Sequence, residues 1–475
     1  MSDNPYHEIP YTTVPRLSTH PDRLAAVGTL FGMTPAPVTH CRVLEIGCGN
    51  GGNLIPMAYG LPESRFTGVD LAAEAIAAGQ ATIAALGLTN ISLLPADLRD
   101  IGPDCGEFDY ILAHGVYSWV PPDVRDRLVA VCRERLAPHG IAFISYNVYP
   151  GRHVRQMLRE MMLYHTRNIP DLAECIRQAR WFLQLLRDGR AVPSRWHALL
   201  DGEIEALLER DADGLCHDDL AEINDPVYFR DFAAHAARHG LQYLGEADPY
   251  EMFDQGDRLA WLEGDVIERE QYLDFLRVRR FRQTLLCYEG IALQRQPGPA
   301  LMERFLFSAP AQTIEGGKIQ GMRGIRITAV HEAVNRVAAA LGETYPLPLA
   351  FEELVPYAGD RDALREILFG LVVGGFADIH VYDFPCEETV TAKPRASRLA
   401  RHQAAISPYV TGACQHVVKL DEVARHLVCL MDGTRDHRQL AHDLAAIPGA
   451  PTADRIAEHL LASLEWLARM SLLEG

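Results

Sequence analysis

The chain has 475 residues, of which 48% are hydrophobic and 23% are charged. These proportions are typical of a globular protein and exclude a fibrous, disordered or coiled-coil one. The length predicts about three domains, and the net charge of −18 disfavours nucleic-acid binding, which depends on basic residues that contact phosphates.

The apolar runs are too short for a membrane span, which needs roughly 20 apolar residues. The first residues, MSDNPYHEIPY, have neither the basic nor the apolar part of a secretory signal. The ten cysteines include no CxxC pair and are expected to be reduced thiols. The sequence therefore predicts a cytoplasmic protein without membrane insertion.

Short β-branched runs alternate with helical patterns from residue 41 to residue 150. Strands are predicted at Cys41–Gly47, Arg65–Asp70, Ile91–Asp97, Phe108–Gly115 and Ile141–Tyr146. Helices are predicted at Leu54–Leu61, Ala72–Leu86 and Pro122–Leu136. This alternation indicates βαβ units and an α/β fold with a doubly wound, Rossmann-like sheet that is mainly parallel.

The pattern changes after residue 150. Residues 151–227 carry only helical signals, such as Arg152–Arg167 and Leu172–Asp188, which predict an all-helical insertion. Residues 228–310 then begin with an amphipathic helix at Tyr228–His239 and are expected to complete the sheet. The predicted completing strands are Leu241–Ala247, Thr284–Gly290 and Arg304–Pro310.

Two units with a similar order of helices follow, at residues 311–390 and 391–475. Their predicted helices are Val330–Leu341 and Arg361–Val373 in the first unit, and Leu420–Met431, Arg438–Leu444 and Arg455–Leu472 in the second. This order, with the β-ribbon FADIHVYDF in the first unit, is that of winged-helix modules. Pro394–His402 is expected to link the two units.

The first predicted strand carries Glu45 and ends in a glycine-rich loop, in the sequence EIGCGNGG. Glycines let the backbone approach a ligand closely, and the N-terminus of the following helix offers free N–H groups. The spacing E-x-G-x-G-x-G differs from the dinucleotide loop G-x-G-x-x-G, and a carboxylate before the loop suits a cationic ligand better than a pyrophosphate. We therefore predict that Glu45, Gly47, Cys48, Gly49 and Asn53 bind such a ligand.

Two further acids follow the second and third predicted strands. Asp70 can accept hydrogen bonds from both hydroxyls of a ribose, and it can also cap the next helix. Asp97, with the backbone of Leu98, is placed to bind an adenine, although a plain turn role is about as common. Three acids on one edge of a parallel sheet indicate one ligand site. Leu71, which follows Asp70, and His114, at the end of the fourth strand, complete the predicted site.

In this combination the motifs resemble those of class I S-adenosylmethionine-dependent methyltransferases, over residues 20–150. The resemblance implies that Gly47, Gly49 and Gly51 pack against the methionine moiety, that Asp70 binds the ribose and that Asp97 binds the adenine. A sulfonium is a cation, which agrees with the acidic residues around the loop. We expect S-adenosyl-L-methionine as cofactor, S-adenosyl-L-homocysteine as product, and no metal.

The ends of the fourth and fifth predicted strands lie where an acceptor would approach the methyl group. Tyr117, Trp119 and Tyr149 are predicted to bind the substrate, as an aromatic wall that attracts an ammonium group. Tyr146 and Asn147 are predicted to be catalytic, because they can align an amine. The alternatives are that the aromatic side chains only pack between the sheet and the helical insertion, and that Asn147 caps a turn.

Stretches outside the glycine loop resemble a bacterial methyltransferase family that carries a methyltransferase regulatory domain. They are THPDRLAAVGTLFGM (Thr19–Met33), NLIPMA (Asn53–Ala58), GVYSWVP (Gly115–Pro121), SYNVYPG (Ser145–Gly151) and the segment from His217 to Ala247. The best-understood members of that family are protein lysine methyltransferases that modify outer-membrane proteins, with catalytic, helical and winged-helix-like parts in the same order. The resemblance implies N-methylation of lysine in a protein or peptide.

Two other functions remain open at this point. One is a methyltransferase for a small metabolite or a natural product, and the other is a non-catalytic module that senses the cofactor or binds a protein. Residues 201–225 contain ten acids and one arginine, which forms either a solvated helix face or a surface for a basic partner. The oligomeric state is open, with a homodimer as one option.

The N-terminal residues 1–40 are predicted to cover the cofactor. The segment Asn4–Thr19 is too polar to fold alone, but Tyr6 and Tyr11 give it apolar side chains that can dock over the glycine loop.

Overall fold

The computed structural model describes residues 13–189, 194–253, 259, 261–262, 264–314, 318–328, 331–386, 389–447 and 452–474. Tyr6 and Tyr11, and with them most of the predicted covering segment Asn4–Thr19, lie outside the described residues. Within the described part of the chain, no helix combines the length and the apolar character that a membrane crossing requires.

A seven-stranded sheet with the strand order β3-β2-β1-β4-β5-β7-β6 forms the centre of the first half of the chain. Its strands are β1 (Arg42–Ile46), β2 (Arg65–Asp70), β3 (Ile91–Pro95), β4 (Phe108–Ala113), β5 (Leu136–Asn147), β6 (Leu241–Glu246) and β7 (Phe281–Tyr288). The first five strands are parallel, whereas β7 runs antiparallel to both β5 and β6. The predicted doubly wound α/β fold is confirmed.

Helices cover both faces of this sheet. They are α1 (Pro21–Leu30), α2 (Leu54–Gly60), α3 (Ala73–Leu86) and α4 (Pro122–Arg135). The middle of β5 reads as a continuous apolar run because it is buried on both faces. Ile141 and Phe143 pack in the core on one side, and Ala142 and Ile144 pack in the core on the other.

The predicted helical insertion is present between β5 and the last two strands of the sheet. It contains α5 (His153–Thr166), α6 (Leu172–Asp188) and α7 (Arg195–Leu208), then a helical turn at Ala212–Gly214 and a π-helical turn at Leu215–Asp219. Leu158, Met162, Ala179, Leu183 and Leu215 form a separate core within it. The chain then returns to the sheet through α8 (Phe229–Arg238), and α9 (Val266–Arg277) joins β6 to β7.

The strand predicted at Arg304–Pro310 does not join the large sheet. The observed strand, β8 (Leu306–Ser308), pairs with β12 (Leu349–Ala350) and β13 (Asp378–His380) in a separate sheet. Phe307 is fully buried with the helices of the next unit, so packing against those helices decides the position of β8. The prediction that residues up to 310 complete the large sheet was therefore wrong for this strand.

The first C-terminal unit contains β8, β12 and β13 together with three helices and a small ribbon. The remaining elements are β9 (Gln312–Ile314), β10 (Lys318–Gln320), β11 (Arg326–Ile327), α10 (Glu332–Thr344), α11 (Phe351–Ala358) and α12 (Arg361–Val373). Its buried residues, such as Leu368, belong to the same apolar core as Leu24 of α1, so this unit packs directly on the large sheet.

The second C-terminal unit has its own core. Its elements are β14 (Arg395–Ala396), α13 (Arg398–Ile406), β15 (Tyr409–Thr411), β16 (Val417–Lys419), α14 (Glu422–Leu430), α15 (His437–Ala445), α16 (Ala453–Arg469) and β17 (Leu473–Glu474). The predicted linker Pro394–His402 is instead part of this unit, because β14 pairs with β17 and Ser397 caps the N-terminus of α13. The prediction missed Ser397 as a cap.

Candidate cofactor and acceptor site

A cavity of about 1480 Å³ opens at the carboxyl ends of the parallel strands. Its floor is formed by residues at or just beyond the carboxyl ends of those strands, namely Glu45, Asp70, Asp97, His114 and Asn147. The opposite wall comes from the helical insertion. The cavity therefore lies between the large sheet and the insertion, at the edge where parallel α/β sheets bind ligands.

The glycine-rich loop takes backbone conformations that favour glycine. Gly47 and Gly49 have φ values of 75° and 54°. A Cβ atom on Gly49 would lie 2.7 Å from Thr13 Cγ2, and one on Gly52 would lie 2.3 Å from the Thr13 carbonyl oxygen. The loop therefore has no side chains at Gly49 and Gly52, on the side where Thr13 and the residues after it cross the loop. A side chain at either position would displace that segment.

Glu45 is buried beneath this loop. The Asn53 side-chain amide donates a hydrogen bond to Glu45 Oε1 at 2.7 Å, and Asn53 Oδ1 accepts one from the backbone N–H of Arg16 at 2.9 Å. Glu45 Oε2 is buried and has no hydrogen-bond partner within the described part of the chain. Burial raises the pKa of Glu45 to about 7. An orphaned, buried carboxylate oxygen on the cavity wall is a place for a cationic or hydrogen-bond-donating group.

The acid after β2 is anchored by the backbone. Asp70 accepts hydrogen bonds from the N–H groups of Gly49 and Ala72, each at 2.8 Å, so it joins the glycine loop to the start of α3. Leu71, which follows it, is an apolar side chain with 68% of its surface exposed, and it lines the cavity. An exposed leucine beside an anchored carboxylate offers a flat apolar ligand a surface to cover.

The acid after β3 is more exposed. Asp97 forms an ion pair with Arg99 at 2.6 Å and also caps the 3₁₀ turn that begins at Leu98. The hydrogen bonds from Arg99 lower the pKa of Asp97. Asp97 and Leu98 both line the cavity, which brings them into the same site as Asp70 and Glu45.

Two other residues predicted to bind the cofactor also face the cavity. His114 Nδ1 lies 3.1 Å from Ser145 Oγ, which joins the ends of β4 and β5. Burial lowers the pKa of His114 to about 3, so its ring is neutral at pH 7. The Cys48 thiol is buried, and burial raises its pKa far above the ordinary value, so it contributes bulk and no charge.

Asn147 and Trp119 form the junction between the cofactor end of the cavity and the insertion. The side-chain amide of Asn147 donates a hydrogen bond to Asn224 Oδ1 at 2.9 Å, which fixes the plane of the amide. The indole N–H of Trp119 is buried and has no partner among the described residues. Both residues line the cavity, and Trp119 is the predicted aromatic residue that reaches it from the end of β4.

The other three predicted aromatic residues lie outside the cavity lining. Tyr146 is fully buried, stacks on Phe232 of α8 at 4.0 Å between ring centroids and shares a hydrogen bond with Thr284 at 2.9 Å. Tyr117 is buried against the same Phe232, and its hydroxyl lies 2.9 Å from His235 Nδ1.

Tyr149 stacks on His153 at 4.1 Å, at the start of the insertion. Of the predicted aromatic residues, Trp119 is the one that lines the cavity in the described structure. Tyr117 and Tyr146 are buried in the core, which corrects the expectation that they contact the acceptor. Tyr149 is half-buried, and its contact with the acceptor stays a prediction.

Charged side chains from the insertion line the cavity wall opposite the sheet, and the sequence did not reveal this arrangement. Arg155 makes a two-pronged ion pair with Asp219, with both distances 2.8 Å, and also contacts Glu203. Arg210 pairs with Asp218, whose pKa is raised by burial. The acidic run at residues 201–225 was the signal available in the sequence. By itself it indicates a solvated surface, because the sequence does not show which arginines pair with these acids.

Three family models match parts of this chain, and several known proteins are similar to it. Residues 43–140 match the methyltransferase domain, residues 211–288 match the predicted methyltransferase regulatory domain, and residues 392–447 match the PKMT C-terminal winged helix domain. Protein RP789 of Rickettsia prowazekii (strain Madrid E) is 30% identical over 92% of this chain and 85% of its own length. Protein RP028 of the same organism is 35% identical over 50% of this chain and 96% of its own length.

A solved structure, PKMT2 from Rickettsia typhi, matches almost the whole molecule. It has 26% sequence identity and a TM-score of 0.87, with 98% of this chain and 100% of that chain covered. The same protein in complex with AdoHcy, S-adenosylhomocysteine, gives 27% identity and a TM-score of 0.85 at the same coverage. The similarity therefore includes the sheet, the insertion and the C-terminal units together.

Proposed function

The chain belongs to the family of S-adenosylmethionine-dependent methyltransferases that join a methyltransferase domain to a regulatory domain and a PKMT winged helix domain, and we propose that it methylates lysine side chains of proteins. The cofactor is S-adenosylmethionine, as the methyltransferase domain and the AdoHcy-bound relative indicate. The observation that best supports lysine as acceptor is the match to PKMT2 along 98% of the chain, which includes the insertion. In our proposal, the cavity wall formed by the insertion faces the acceptor.

The residues at the strand ends fit this cofactor. When bound, S-adenosylmethionine supplies a methyl group on a positively charged sulfur. In our proposal, Asp70 binds the ribose hydroxyls, Leu71 covers one face of the adenine and Asp97 with Leu98 binds its edge. The bare backbone at Gly47 and Gly49 holds the methionine part. Further contacts come from Glu45, whose orphaned Oε2 accepts from a donor of the cofactor, and from Cys48, Asn53 and His114, which line the same end of the cavity.

At the other end of the cavity, the protein has to align the acceptor amine with the methyl group. The neutral amine attacks the methyl carbon while the bond between that carbon and sulfur breaks, and the surplus proton on nitrogen passes to water. We propose that Asn147 orients the amine through its amide oxygen, since its NH₂ group is held by Asn224 at 2.9 Å. Trp119 lines the same part of the cavity and narrows the approach. Positioning of this kind removes several kcal/mol from a two-substrate barrier.

A protein substrate suits the dimensions and charges of the cavity. The cavity volume of about 1480 Å³ exceeds the roughly 300–1,000 Å³ typical of small-ligand sites, which leaves room for a long acceptor side chain beside the cofactor. The chain carries a net charge of −18, which favours a basic partner. We also propose that the protein acts in the cytoplasm, and a homodimer stays a prediction.

The test is transfer of isotopically labelled methyl groups to a panel of acceptors, followed by mass-spectrometric peptide mapping. The panel contains unfolded lysine-rich proteins, the same proteins with blocked lysine amines, and small amines. We expect label on lysine nitrogen of the unblocked proteins. Label on small amines alone would favour the small-metabolite alternative. Binding of S-adenosylhomocysteine without transfer to any acceptor would favour a cofactor-sensing module.

A further inference from the structure

Two histidines and an aspartate meet at a contact between the methyltransferase domain and the segment that follows the insertion. His235 lies on α8, His239 follows one turn later as the residue that caps the C-terminus of α8, and Asp126 lies on α4. Asp126 Oδ1 is 3.0 Å from His235 Nε2 and 2.9 Å from His239 Nε2. All three potential ligand atoms lie within 4.8 Å of one another.

This arrangement has the chemistry of a transition-metal site. Histidines four residues apart project from the same face of a helix, and imidazole with carboxylate is a common zinc ligand set. In a tetrahedral site with metal–ligand distances of about 2.0–2.2 Å, neighbouring ligand atoms are separated by roughly 3.3 Å. The observed separations of 2.9 and 3.0 Å need only a small widening to admit an ion.

The environment of His235 supports a metal ligand in a second way. The residue is buried, with 7% of its surface exposed. Its other nitrogen, Nδ1, lies 2.9 Å from the Tyr117 hydroxyl. Metal-bound histidines usually donate their second N–H to an oxygen, which fixes the ring and its tautomer. The Tyr117 hydroxyl can accept that hydrogen bond.

We propose that Asp126, His235 and His239 form a binding site for a divalent transition-metal ion, with zinc as the best match, and with water as the fourth ligand. The site joins α4 to α8, and α4 begins directly after the segment Tyr117–Pro121, which places Trp119 on the cavity wall. A bound ion would therefore hold the acceptor side of the cavity against the regulatory part of the chain. This inference does not depend on the identity of the methyl acceptor.

The test uses the full-length protein after treatment with EDTA and dialysis, titrated calorimetrically with ZnCl₂. We expect one ion per chain and a rise in Tm on zinc addition. His239→Ala and Asp126→Asn should each lower the zinc affinity tenfold or more and abolish the rise in Tm. His139→Ala is the matched control, because His139 is an exposed histidine just beyond the end of α4 and lies outside the cluster, and it should bind zinc as the unchanged protein does.

The Tm of each variant without zinc shows whether it is folded, and His239→Gln serves as a second variant that preserves the size and polarity of the side chain. Cobalt(II) provides an independent readout, since a four-coordinate ion gives strong visible absorption that the His239 variants should lack. The proposal is overturned if the unchanged protein takes up no zinc. It is equally overturned if the His239 and Asp126 variants bind zinc with the stoichiometry and affinity of the His139 control.

Discussion

Glu45 is the residue whose charge state most affects the cofactor end of the cavity. It is a buried acid that lines the cavity, and one of its oxygens has no partner in the described part of the chain. Burial raises its pKa to about 7, so the unliganded protein holds a proton on Glu45 that the unfolded chain has already released. Burying Glu45 therefore costs stability above about pH 7, and this cost disappears as the pH falls toward the ordinary value of 4.5.

This protonation predicts a pH dependence of cofactor binding. The ammonium group of S-adenosylhomocysteine favours ionised Glu45, so its affinity should rise by about tenfold between pH 6 and pH 8. Calorimetric titration across this range measures the effect. Glu45→Gln should remove the pH dependence, and it should also raise the Tm at pH 8 without ligand. His114 does not titrate in this window, because burial lowers its pKa to about 3. If the affinity of Glu45→Gln for S-adenosylhomocysteine still rises between pH 6 and pH 8, Glu45 is not the group that causes the pH dependence.

Asp70 should matter more to affinity than to the fold. Asp70→Ala removes two charge-assisted hydrogen bonds to the ribose and should weaken S-adenosylhomocysteine binding by about 2–3 kcal/mol. It also frees the N–H groups of Gly49 and Ala72, so a small fall in Tm is expected. Asp100→Ala changes an exposed acid nearby and is the matched control. Equal affinity of the two variants for S-adenosylhomocysteine would show that Asp70 does not hold the ribose.

Asn147 and Tyr146 are neighbours in the chain with different expected roles. Asn147→Ala should lower kcat by roughly tenfold with little change in cofactor affinity, because the amide acts on the aligned acceptor. Tyr146→Phe removes a hydroxyl that bonds Thr284 within the core. It should leave kcat unchanged and lower the free energy of unfolding by about 1 kcal/mol. Single-turnover rates and urea unfolding separate these effects, and loss of kcat in Tyr146→Phe would place its hydroxyl in the reaction.

At the scale of elements, the glycine loop and the chain that crosses it form one unit. The backbone N–H of Gly52 donates a hydrogen bond to Thr13 Oγ1 at 3.0 Å, and the N–H of Arg16 donates to Asn53 at 2.9 Å. Thr19, three residues later, is fully buried and belongs to the fold. The covering segment therefore ends before Thr19, so a truncation that tests it should stop at Arg16.

Removal of residues 1–16 should raise the KM for S-adenosylmethionine by roughly tenfold, or about 1.4 kcal/mol. The Tm should stay near that of the full chain, because the buried residues from Thr19 onward are retained. Gly52→Ala should act in the same direction without any deletion, since its Cβ would lie 2.3 Å from the Thr13 carbonyl oxygen. Unchanged KM values in both proteins would mean that the segment does not cover the cofactor.

At the scale of the whole molecule, the two ends of the chain are tied together around the sheet. Asp22 of α1 is fully buried, and its carboxylate contacts His380 Nδ1 at 2.7 Å and accepts from the backbone N–H groups of Val381 and Tyr382. The neighbouring Arg23 pairs with Asp378 at 2.6 Å. The second C-terminal unit reaches the cofactor end as well, because the Gln415 side chain donates to the Asn53 carbonyl oxygen at 2.9 Å.

Loss of the Asp22 carboxylate should therefore weaken the whole assembly. Asp22→Ala leaves a buried histidine and two half-buried N–H groups without their partner, and it should lower the free energy of unfolding by about 3–5 kcal/mol. Urea unfolding followed by tryptophan fluorescence measures the change. Asp383→Ala, at an exposed acid three residues after His380, is the control and should change stability little. Equal stabilities would mean that the two ends are held by other contacts.

The sequence by itself determined the α/β fold, the cofactor and the strand-end residues that face it. These features follow from local patterns, since each acid lies close to the carboxyl end of an apolar strand and parallel strands end at one edge. The tertiary structure decided which side chains reach the acceptor. Successive residues on a strand face opposite sides, so Tyr146 enters the core while Asn147, at the strand end, reaches the cavity. The ion pair between Arg155 and Asp219 and the cluster around Asp126 join residues 64 to 113 positions apart. Such contacts exist only once the domains have packed, because no local sequence pattern specifies them.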